Sequence, residues 1–351
     1  MSGQEIGRRT LLRGLLGSAS VFFVGGACSS SPRPPSGLVI PRGQAVEGWP
    51  RTLITLPGKG PAIFAGHEEE APPFGHLGFG LRARVEGEPK GQRIPVTIGG
   101  SFIVRGWVPL HRLAACTLRR GRISGTPIYV GANDPVSIIS SEGESYRIIV
   151  RPRFGRVELD EDADGYSGVI PANWVGEGDA SAPDPGLNQG QPMQLPGWEV
   201  ELYDRPGGQV VARIPTADPP LTVIVLKDQG EWKGVRVGVG PFLVGFVNVP
   251  LTPSSVEAVG ERPKRPEPSN EMPFRIANEA GPLHRVAAGT RVFFYGEAVG
   301  TLKRDGWARE VSGRRGDQVD VYLAVDDGVA IRGLVPVSSL QPVEGATASR
   351  S

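Results

Sequence analysis

Four segments of this chain end on one short pattern: a glycine, two apolar residues, a short polar step and a further apolar residue. The glycines are Gly106, Gly168, Gly245 and Gly333, and they recur about 60 to 90 residues apart. A self-similar element at the spacing of a small domain indicates tandem copies of one unit. The alternative is a single larger all-β domain whose strand ends resemble one another by chance.

The residues between these glycines favour strands over helices. The chain has 50 glycines and 34 prolines among 351 residues, and both residue types destabilise helix interiors. Val, Ile and Phe nevertheless cluster in strand-length runs separated by Gly, Asp and Pro, as they do in hairpins. We predict an all-β fold in which each copy closes into a small barrel. Each pattern glycine would lie at a tight bend where backbones approach closely.

The order of elements within a copy resembles the SH3-like domains of bacterial cell-envelope proteins. The third copy matches best. Its opening strand contains Leu202 and Tyr203, its hairpin contains Gly230 and Trp232, and its closing strand follows Gly245. The resemblance implies tandem small SH3-like β-barrels that cover most of the chain.

The other copies match the family pattern less evenly. Trp307 in the fourth copy and Tyr146 in the second align with Trp232, whereas the first copy has no aromatic residue there. The first copy has the closing tryptophan, Trp107, which is aliphatic in the second and fourth copies.

Composition divides the chain into nine segments, with Pro/Gly-rich and charged stretches as linkers. No such stretch separates the first two copies, so we expect them to pack as one unit. The segments are a signal peptide (1–27), an anchor cysteine and Ser/Pro tether (28–47), the first copy (48–114), the second copy (115–178), a linker (179–192), the third copy (193–254), a linker (255–273), the fourth copy (274–343) and a C-terminal tail (344–351).

The first 27 residues have the composition of a secretory signal, with a basic start, a short apolar run and small residues before the cleavage site. The apolar run is shorter than the roughly 20 residues that a spanning helix needs. Arg8 and Arg9, followed by Thr10, two leucines and Arg13, resemble the twin-arginine motif of the pathway that exports folded proteins. The alternative is an ordinary signal with two arginines in its basic region.

Cys28 follows small residues and precedes a polar tract, which resembles the lipobox of bacterial lipoproteins. The resemblance implies acylation of Cys28 and stable membrane anchoring through more than one acyl chain. Gly25 stands where the lipobox usually has leucine, and the alternative is soluble cleavage near Ala27. Ser29 follows the cysteine in place of the aspartate that often signals inner-membrane retention. We therefore expect an outer-membrane lipoprotein that faces the periplasm.

The sequence offers little for catalysis, metal binding or nucleic-acid binding. The formal net charge is +1, without a basic stripe that could bind nucleic acid. There is no nucleophile elbow, phosphate loop or dinucleotide fingerprint, so we expect no catalytic residue and no cofactor. Cys116, among apolar neighbours, is expected to be a small core residue.

Two acidic segments contain residues of the types that bind metal ions. Asp160 begins half of a calcium loop, but Pro171 replaces the glutamate expected at its twelfth position. His67 and His76 are nine residues apart across a Pro-rich segment that cannot be helical. Solvated loops are the expected structure of both, so we predict no metal site.

Aromatic side chains are the remaining candidates for a binding site. SH3-like barrels often bind extended peptides on exposed aromatic rings, and the candidate ligand-binding residues are Tyr203, Trp232, Trp307 and Tyr146. We expect Trp107 and Phe246 to lie in the core, and we favour a core position for Trp232 as well.

The resemblance implies a non-catalytic envelope protein that binds peptidoglycan or a protein partner. One alternative is a structural adaptor in a larger envelope assembly, whose copies pack together and leave no peptide groove. Another is a cryptic envelope hydrolase whose reactive residues meet only in the folded chain.

Overall fold

A computed structural model describes residues 46–56, 60–150, 165–178, 190–238, 240–254, 273–277, 279–326 and 328–343. All of them belong to one compact unit, Pro34–Ser351. They form β-strands, one four-residue α-helix and three short 3₁₀ turns, which confirms the all-β fold class. Within these ranges no helix is long and apolar enough to cross a membrane. Arg8, Arg9, Cys28 and Asp160 lie outside the described residues.

The first two copies share a strand. The first copy consists of β1 (Thr52–Thr55), β2 (Ala62–Phe64), β3 (Pro73–Leu77), β4 (Arg82–Val85), β5 (Arg93–Ile98), β6 (Phe102–Pro109), a 3₁₀ turn (Leu110–Arg112) and β7 (Leu113–Thr117). The second copy adds β8 (Gly121–Arg122), β9 (Ile128–Val130), β10 (Pro135–Glu142), β11 (Ser145–Val150), β12 (Tyr166–Pro171), a 3₁₀ turn (Ala172–Trp174) and β13 (Val175–Gly176). The start of β7 pairs with β1 and its end pairs with β10 and β13, so the predicted boundary at 114/115 falls inside one strand.

The third and fourth copies are built from the remaining elements. The third has β14 (Gln191–Gln194), β15 (Val200–Tyr203), β16 (Val210–Ile214), β17 (Thr222–Gln229), β18 (Trp232–Val237), β19 (Phe242–Val247) and β20 (Thr252–Pro253). The fourth has α1 (Phe274–Ala277), β21 (Leu283–Val286), β22 (Arg291–Phe294), β23 (Glu297–Leu302), β24 (Gly306–Arg315), β25 (Gln318–Ala324), β26 (Val329–Pro336), a 3₁₀ turn (Val337–Ser339) and β27 (Leu340–Pro342). β14 begins two residues inside the predicted linker 179–192.

The same hydrogen-bonded strand order occurs in all four copies. It is β7–β1–β4–β5–β6 in the first, β13–β7–β10–β11–β12 in the second, β20–β14–β17–β18–β19 in the third and β27–β21–β24–β25–β26 in the fourth. We call β6, β12, β19 and β26 the glycine strands, because each contains one pattern glycine. A side hairpin (β2–β3, β8–β9, β15–β16 or β22–β23) lies against each glycine strand, through an isolated Ser124–Val169 bridge in the second copy.

The pattern glycines are equivalent in their surroundings. A Cβ atom on any of them would lie 2.5–2.6 Å from an aliphatic side chain of the side hairpin and 2.6–3.0 Å from the next carbonyl oxygen. The facing residues are Ile63 and Phe64, Ile123 and Ser124, Leu202 and Tyr203, and Val292 and Phe293. The predicted close approach is therefore confirmed, but it lies within a strand and not at the predicted bend before it.

Proline accounts for the 3₁₀ turns. Pro109, Pro171 and Pro336 each stand three residues after a pattern glycine and cap such a turn with φ between −60° and −58°. The proline ring fixes φ near this value. Asn248 takes the position in the third copy, where no 3₁₀ turn forms.

Among the described residues, hydrogen bonds close a ring of strands between two copies, whereas the strands of the third copy form an open sheet, so the prediction that each copy closes into its own barrel is not confirmed. The side hairpins and glycine strands of the first and fourth copies form a closed six-stranded ring in the order β2–β3–β26–β22–β23–β6. The arrangement is reciprocal, because the second hairpin strand of each copy pairs with the glycine strand of the other. Phe74 and Phe294, one from each copy, have ring centroids 5.3 Å apart. Exposed strand edges attract other strands, and here the chain pairs its own edges.

The second and third copies are joined in a related way. Tyr129 and Ile128 of β9 pair with Phe242 and Leu243 at the start of β19. The glycine strand of the third copy is thereby extended by the side hairpin of the second. Copies one and four, and copies two and three, therefore use the same kind of contact.

Candidate ligand-binding surface

The sheet β17–β18–β19–β15 of the third copy has one face in the core and one face outside it. Leu202, Val235 and Val247 are 0% exposed and belong to the main hydrophobic core. Strand residues alternate between the two faces, so Tyr203 and Phe246 face away from that core. Both are half-buried, so the expected core position of Phe246 is wrong.

Trp232 belongs to this outer face. Gly234, two residues further along β18, pairs with Phe246, and Phe246 pairs with Tyr203. The rings of Tyr203 and Trp232 meet edge to face, with their centroids 5.1 Å apart. Trp232 is half-buried, so our expectation of a core position is wrong. The reason is the strand register, which assigns the inward positions to valines.

Gly234 allows neighbouring side chains to pack closely against the β18 backbone. A Cβ atom on Gly234 would approach Phe246 Cε1 to 3.2 Å and Lys227 Cβ to 3.3 Å. The absence of a side chain on Gly234 therefore lets the Phe246 ring and Lys227 pack directly against the β18 backbone next to Trp232. We call Tyr203, Trp232, Gly234 and Phe246 the aromatic surface.

Charged groups surround the aromatic surface and hold its rings in place. The Tyr203 hydroxyl donates a 2.7 Å hydrogen bond to Glu201 Oε2, and Glu201 Oε1 lies 3.2 Å from an Arg213 nitrogen. The hydrogen bond to Glu201 raises the pKa of Tyr203, because ionisation would break it. The phenol therefore stays a donor at neutral pH.

The turn before Trp232 is also fixed by polar contacts. Asp228 accepts a hydrogen bond from Lys233 Nζ at 2.5 Å and another from the backbone N–H of Gly230 at 3.1 Å. The hydrogen bond from Lys233 lowers the pKa of Asp228. Gly230 has a φ of 70°, which is the reason for glycine at this turn. These contacts present Trp232 at a defined place.

Strand register separates the aromatics that the sequence aligned. Trp232 is the first residue after the hairpin turn and pairs with Gln229 before it. The residues that begin the equivalent strand in the other copies, and pair across the same turn, are Arg93, Ser145 and Gln318. Trp307 lies on β24, the strand before this turn, and Tyr146 is one residue past the equivalent position. Their predicted equivalence with Trp232 is therefore wrong, and for Trp307 the reason is that its preceding glycine, Gly306, begins a strand whereas Gly230 lies in a turn.

The other candidates lie in different surroundings. Tyr146 is 6% exposed and packs in the main core, which leaves its ring little surface for a ligand. Trp307 is half-buried beneath an arginine, with Arg285 Cζ 3.3 Å from the ring centroid. Trp107 is 3% exposed, so its expected burial is confirmed. Cys116 is 1% exposed, again as expected.

The first copy covers its equivalent of the aromatic surface with its own loop. Phe64 and Trp107 take the places of Tyr203 and Phe246. Arg93 lies over the Phe64 ring and donates hydrogen bonds to the carbonyl oxygens of residues 66, 68 and 69. The ring of His67 is 5.1 Å from that of Trp107. Side chains of the first copy itself therefore cover the rings of Phe64 and Trp107.

Trp198 is an aromatic residue that the sequence analysis missed. It stands just before β15 and is 58% exposed. The segment was read as the start of a strand, and such a reading does not distinguish a solvent-facing ring from a core ring. The neighbouring Pro196 and Gly197, which mark a loop, are the signal that could have identified it.

The described residues contain no cluster of three or more His, Cys, Asp or Glu side chains able to hold a metal ion. His67 lies 3.5 Å from Glu68, while His76 is on β3 and pairs with Ala62. No protein-family model matches this chain, and no curated protein shows significant similarity to it.

Proposed function

We propose that this chain is a tandem array of four SH3-like domains whose third copy binds a peptide-bearing envelope polymer. The repeated strand order and the equivalent glycines in all four copies support the SH3-like assignment, as does the 3₁₀ turn before the last strand in the first, second and fourth copies. The reciprocal ring of the first and fourth copies is compatible with it, since the ring uses side hairpins and leaves each copy's strand order intact.

The aromatic surface is the observation that carries the binding proposal. The half-buried rings of Tyr203 and Trp232 meet edge to face on the outer side of the sheet, beside Phe246, which packs over Gly234. Aromatic rings of this kind bind extended peptides and sugar faces at low entropic cost, because they have few rotatable bonds. Glu201, Arg213 and Lys233 add charges at the rim.

The proposed ligand is peptidoglycan, whose stem peptides are extended and charged. A protein exported through a twin-arginine-like signal and anchored at Cys28 in the outer membrane would face this polymer across the periplasm. The protein would act without catalysis and without a cofactor, as a link between membrane and wall.

Co-sedimentation with purified sacculi tests the proposal. Wild type should sediment with the sacculi, and Trp232→Ala should lose at least about tenfold in affinity, as expected for an aromatic hot spot. Trp198→Ala is the matched control, because it removes an exposed indole just before β15 and outside the aromatic surface. Equal sedimentation of Trp232→Ala and wild type would refute the role of the surface.

A structural adaptor is the second candidate, and the reciprocal ring favours it. The first and fourth copies pair their free edges with each other, and the first copy fills its own aromatic position. Such internal pairing suits a rigid spacer in an assembly. In the same assay, a wild type that does not sediment with sacculi at all would favour the adaptor.

A further inference from the structure

A recess on the fourth copy has a different chemistry from the aromatic surface. Arg285 on β21 stands directly opposite Trp307 on β24 and opposite Gln341 on β27. The three side chains form a row across three neighbouring strands. They line a cavity of about 690 Å³ together with Val286, Ala287, Ala288, Arg304, Asp305 and Val325.

The Arg285 guanidinium lies flat against an indole. Its Cζ atom is 3.3 Å from the centroid of Trp307. Stacking of this kind uses the face of the guanidinium and leaves its N–H groups pointing outwards in the plane. An arginine held in this way is ready to donate two parallel hydrogen bonds to a planar acceptor.

The other copies show that the fold does not require this row. The place of Arg285 is taken by Ile54, Cys116 and Met193, and the place of Trp307 by Arg82, Pro135 and Val223. Within the described residues, the arginine–tryptophan stack at this position is a property of the fourth copy alone. The first copy also has an arginine in this pair, Arg82, but its partner is Ile54, so an arginine opposite an aromatic ring occurs only in the fourth of the four described pairs.

The charges of the lining favour an anion. The lining residues include two arginines, Arg285 and Arg304, and one carboxylate, Asp305. Asp305 Oδ1 accepts a 2.8 Å hydrogen bond from the backbone N–H of Ala288, which fixes it at the side of the recess. The half-buried indole of Trp307 supplies the apolar surface of the recess. The recess thus combines a planar cation with an apolar surface.

We propose that this recess binds the carboxylate of an acidic peptide. The guanidinium of Arg285 binds the carboxylate, and the indole of Trp307 packs against the aliphatic part of the same residue. Gln341 can donate a further hydrogen bond. The site is on the fourth copy and is independent of the aromatic surface, so either can fail without the other.

Titration of the full chain with two short peptides tests this site. The probes are acetyl-Ala-Glu-amide and its uncharged counterpart acetyl-Ala-Gln-amide, followed by NMR at the Arg285 Nε–H and Trp307 indole N–H. We expect the glutamate peptide to shift both signals saturably and to bind at least about tenfold more tightly than the glutamine peptide, because charge-assisted hydrogen bonds are lost with the charge. Equal binding of the two peptides would overturn the proposal.

Variants locate the effect. Arg285→Met introduces the residue that the third copy has at this place, so it should fold, and it should weaken glutamate binding at least about tenfold. Arg314→Met removes an exposed arginine elsewhere on β24 and should change binding less than about twofold. Asp305→Asn keeps the acceptor for Ala288 and should tighten binding by up to about fivefold.

Two further results separate this site from the aromatic surface. Trp232→Ala should bind the glutamate peptide as wild type does, whatever it does with sacculi. Thermal melting confirms that each variant is folded. A folded Arg285→Met protein that binds the glutamate peptide with wild-type affinity would show that the stack is structural and would overturn the proposal.

Discussion

Replacing Gly245 with alanine tests the structural equivalence of the four copies. The new Cβ atom would lie 2.6 Å from Leu202 Cγ and 2.6 Å from the carbonyl oxygen of Tyr203. A backbone oxygen cannot move without disturbing the pairing of β15 with β19. Overpacking of this kind costs about 1–3 kcal/mol, which corresponds to a fall in Tm of roughly 1–4 °C for a chain of 351 residues that unfolds as one unit.

The assay is thermal unfolding measured by calorimetry, and the control is an alanine substitution at a second glycine. Gly313 also lies in a strand, but a Cβ atom there would meet nothing within 4 Å. Gly313→Ala should therefore leave Tm unchanged or raise it slightly, since alanine restricts the unfolded chain. Gly106→Ala and Gly333→Ala should behave like Gly245→Ala. A Gly245→Ala protein as stable as Gly313→Ala would refute the close approach on which the equivalence rests.

Three further predictions concern pH, anchoring and the linkers. Burial raises the pKa of Tyr146, so its contribution to stability is complete below about pH 10 and is lost as the pH rises further. Tyr146→Phe should therefore flatten the decline in Tm at alkaline pH. An unchanged decline in the variant would contradict this prediction. Cys28→Ala should move the protein from the detergent phase to the soluble fraction, whereas equal partitioning would exclude lipid anchoring. Limited proteolysis should cut first within 176–192 and 260–273, where the sequence is rich in Pro, Gly and charge; first cuts within 195–251 would show that the third copy is not a folded unit.

The pattern glycines show how far the sequence could predict the fold. A glycine before two apolar residues is a local signal, and its cause is local too: a side hairpin crosses the glycine strand at contact distance. The 3₁₀ turns follow from the same stretch, because proline at a fixed distance from the glycine sets the backbone angle. The tendency to form strands and the recurrence of the pattern can therefore be predicted from local sequence alone.

The pairing between copies could not be read in this way. Val104 pairs with Gly300 and Ile331 pairs with Gly75 across more than half the chain. Nothing in the local sequence of a strand states which other edge will satisfy its backbone groups. Local sequence therefore predicts a barrel within each copy, and it does not reveal the six-stranded ring that joins the first copy to the fourth.

The candidate site was predicted in part. Tyr203 and Trp232 were both selected from the sequence, and the structure brings their rings into contact. Their position on the outer face depends on register, which one inserted residue reverses. Trp307 and Trp232 both closely follow a glycine, but Gly306 begins β24 whereas Gly230 lies in the turn after β17, so the two tryptophans lie on different strands.

The most direct test of the proposed function is the response of the Trp232 indole to a soluble wall fragment. The six tryptophans of the chain give separate indole N–H signals in an NMR spectrum, and single substitutions assign them. On addition of muropeptides from digested peptidoglycan, the account predicts that the Trp232 signal shifts most and that Tyr203→Ala abolishes the shift. A Trp232 signal that stays in place while the fragments bind elsewhere, or that still shifts in Tyr203→Ala, would contradict it.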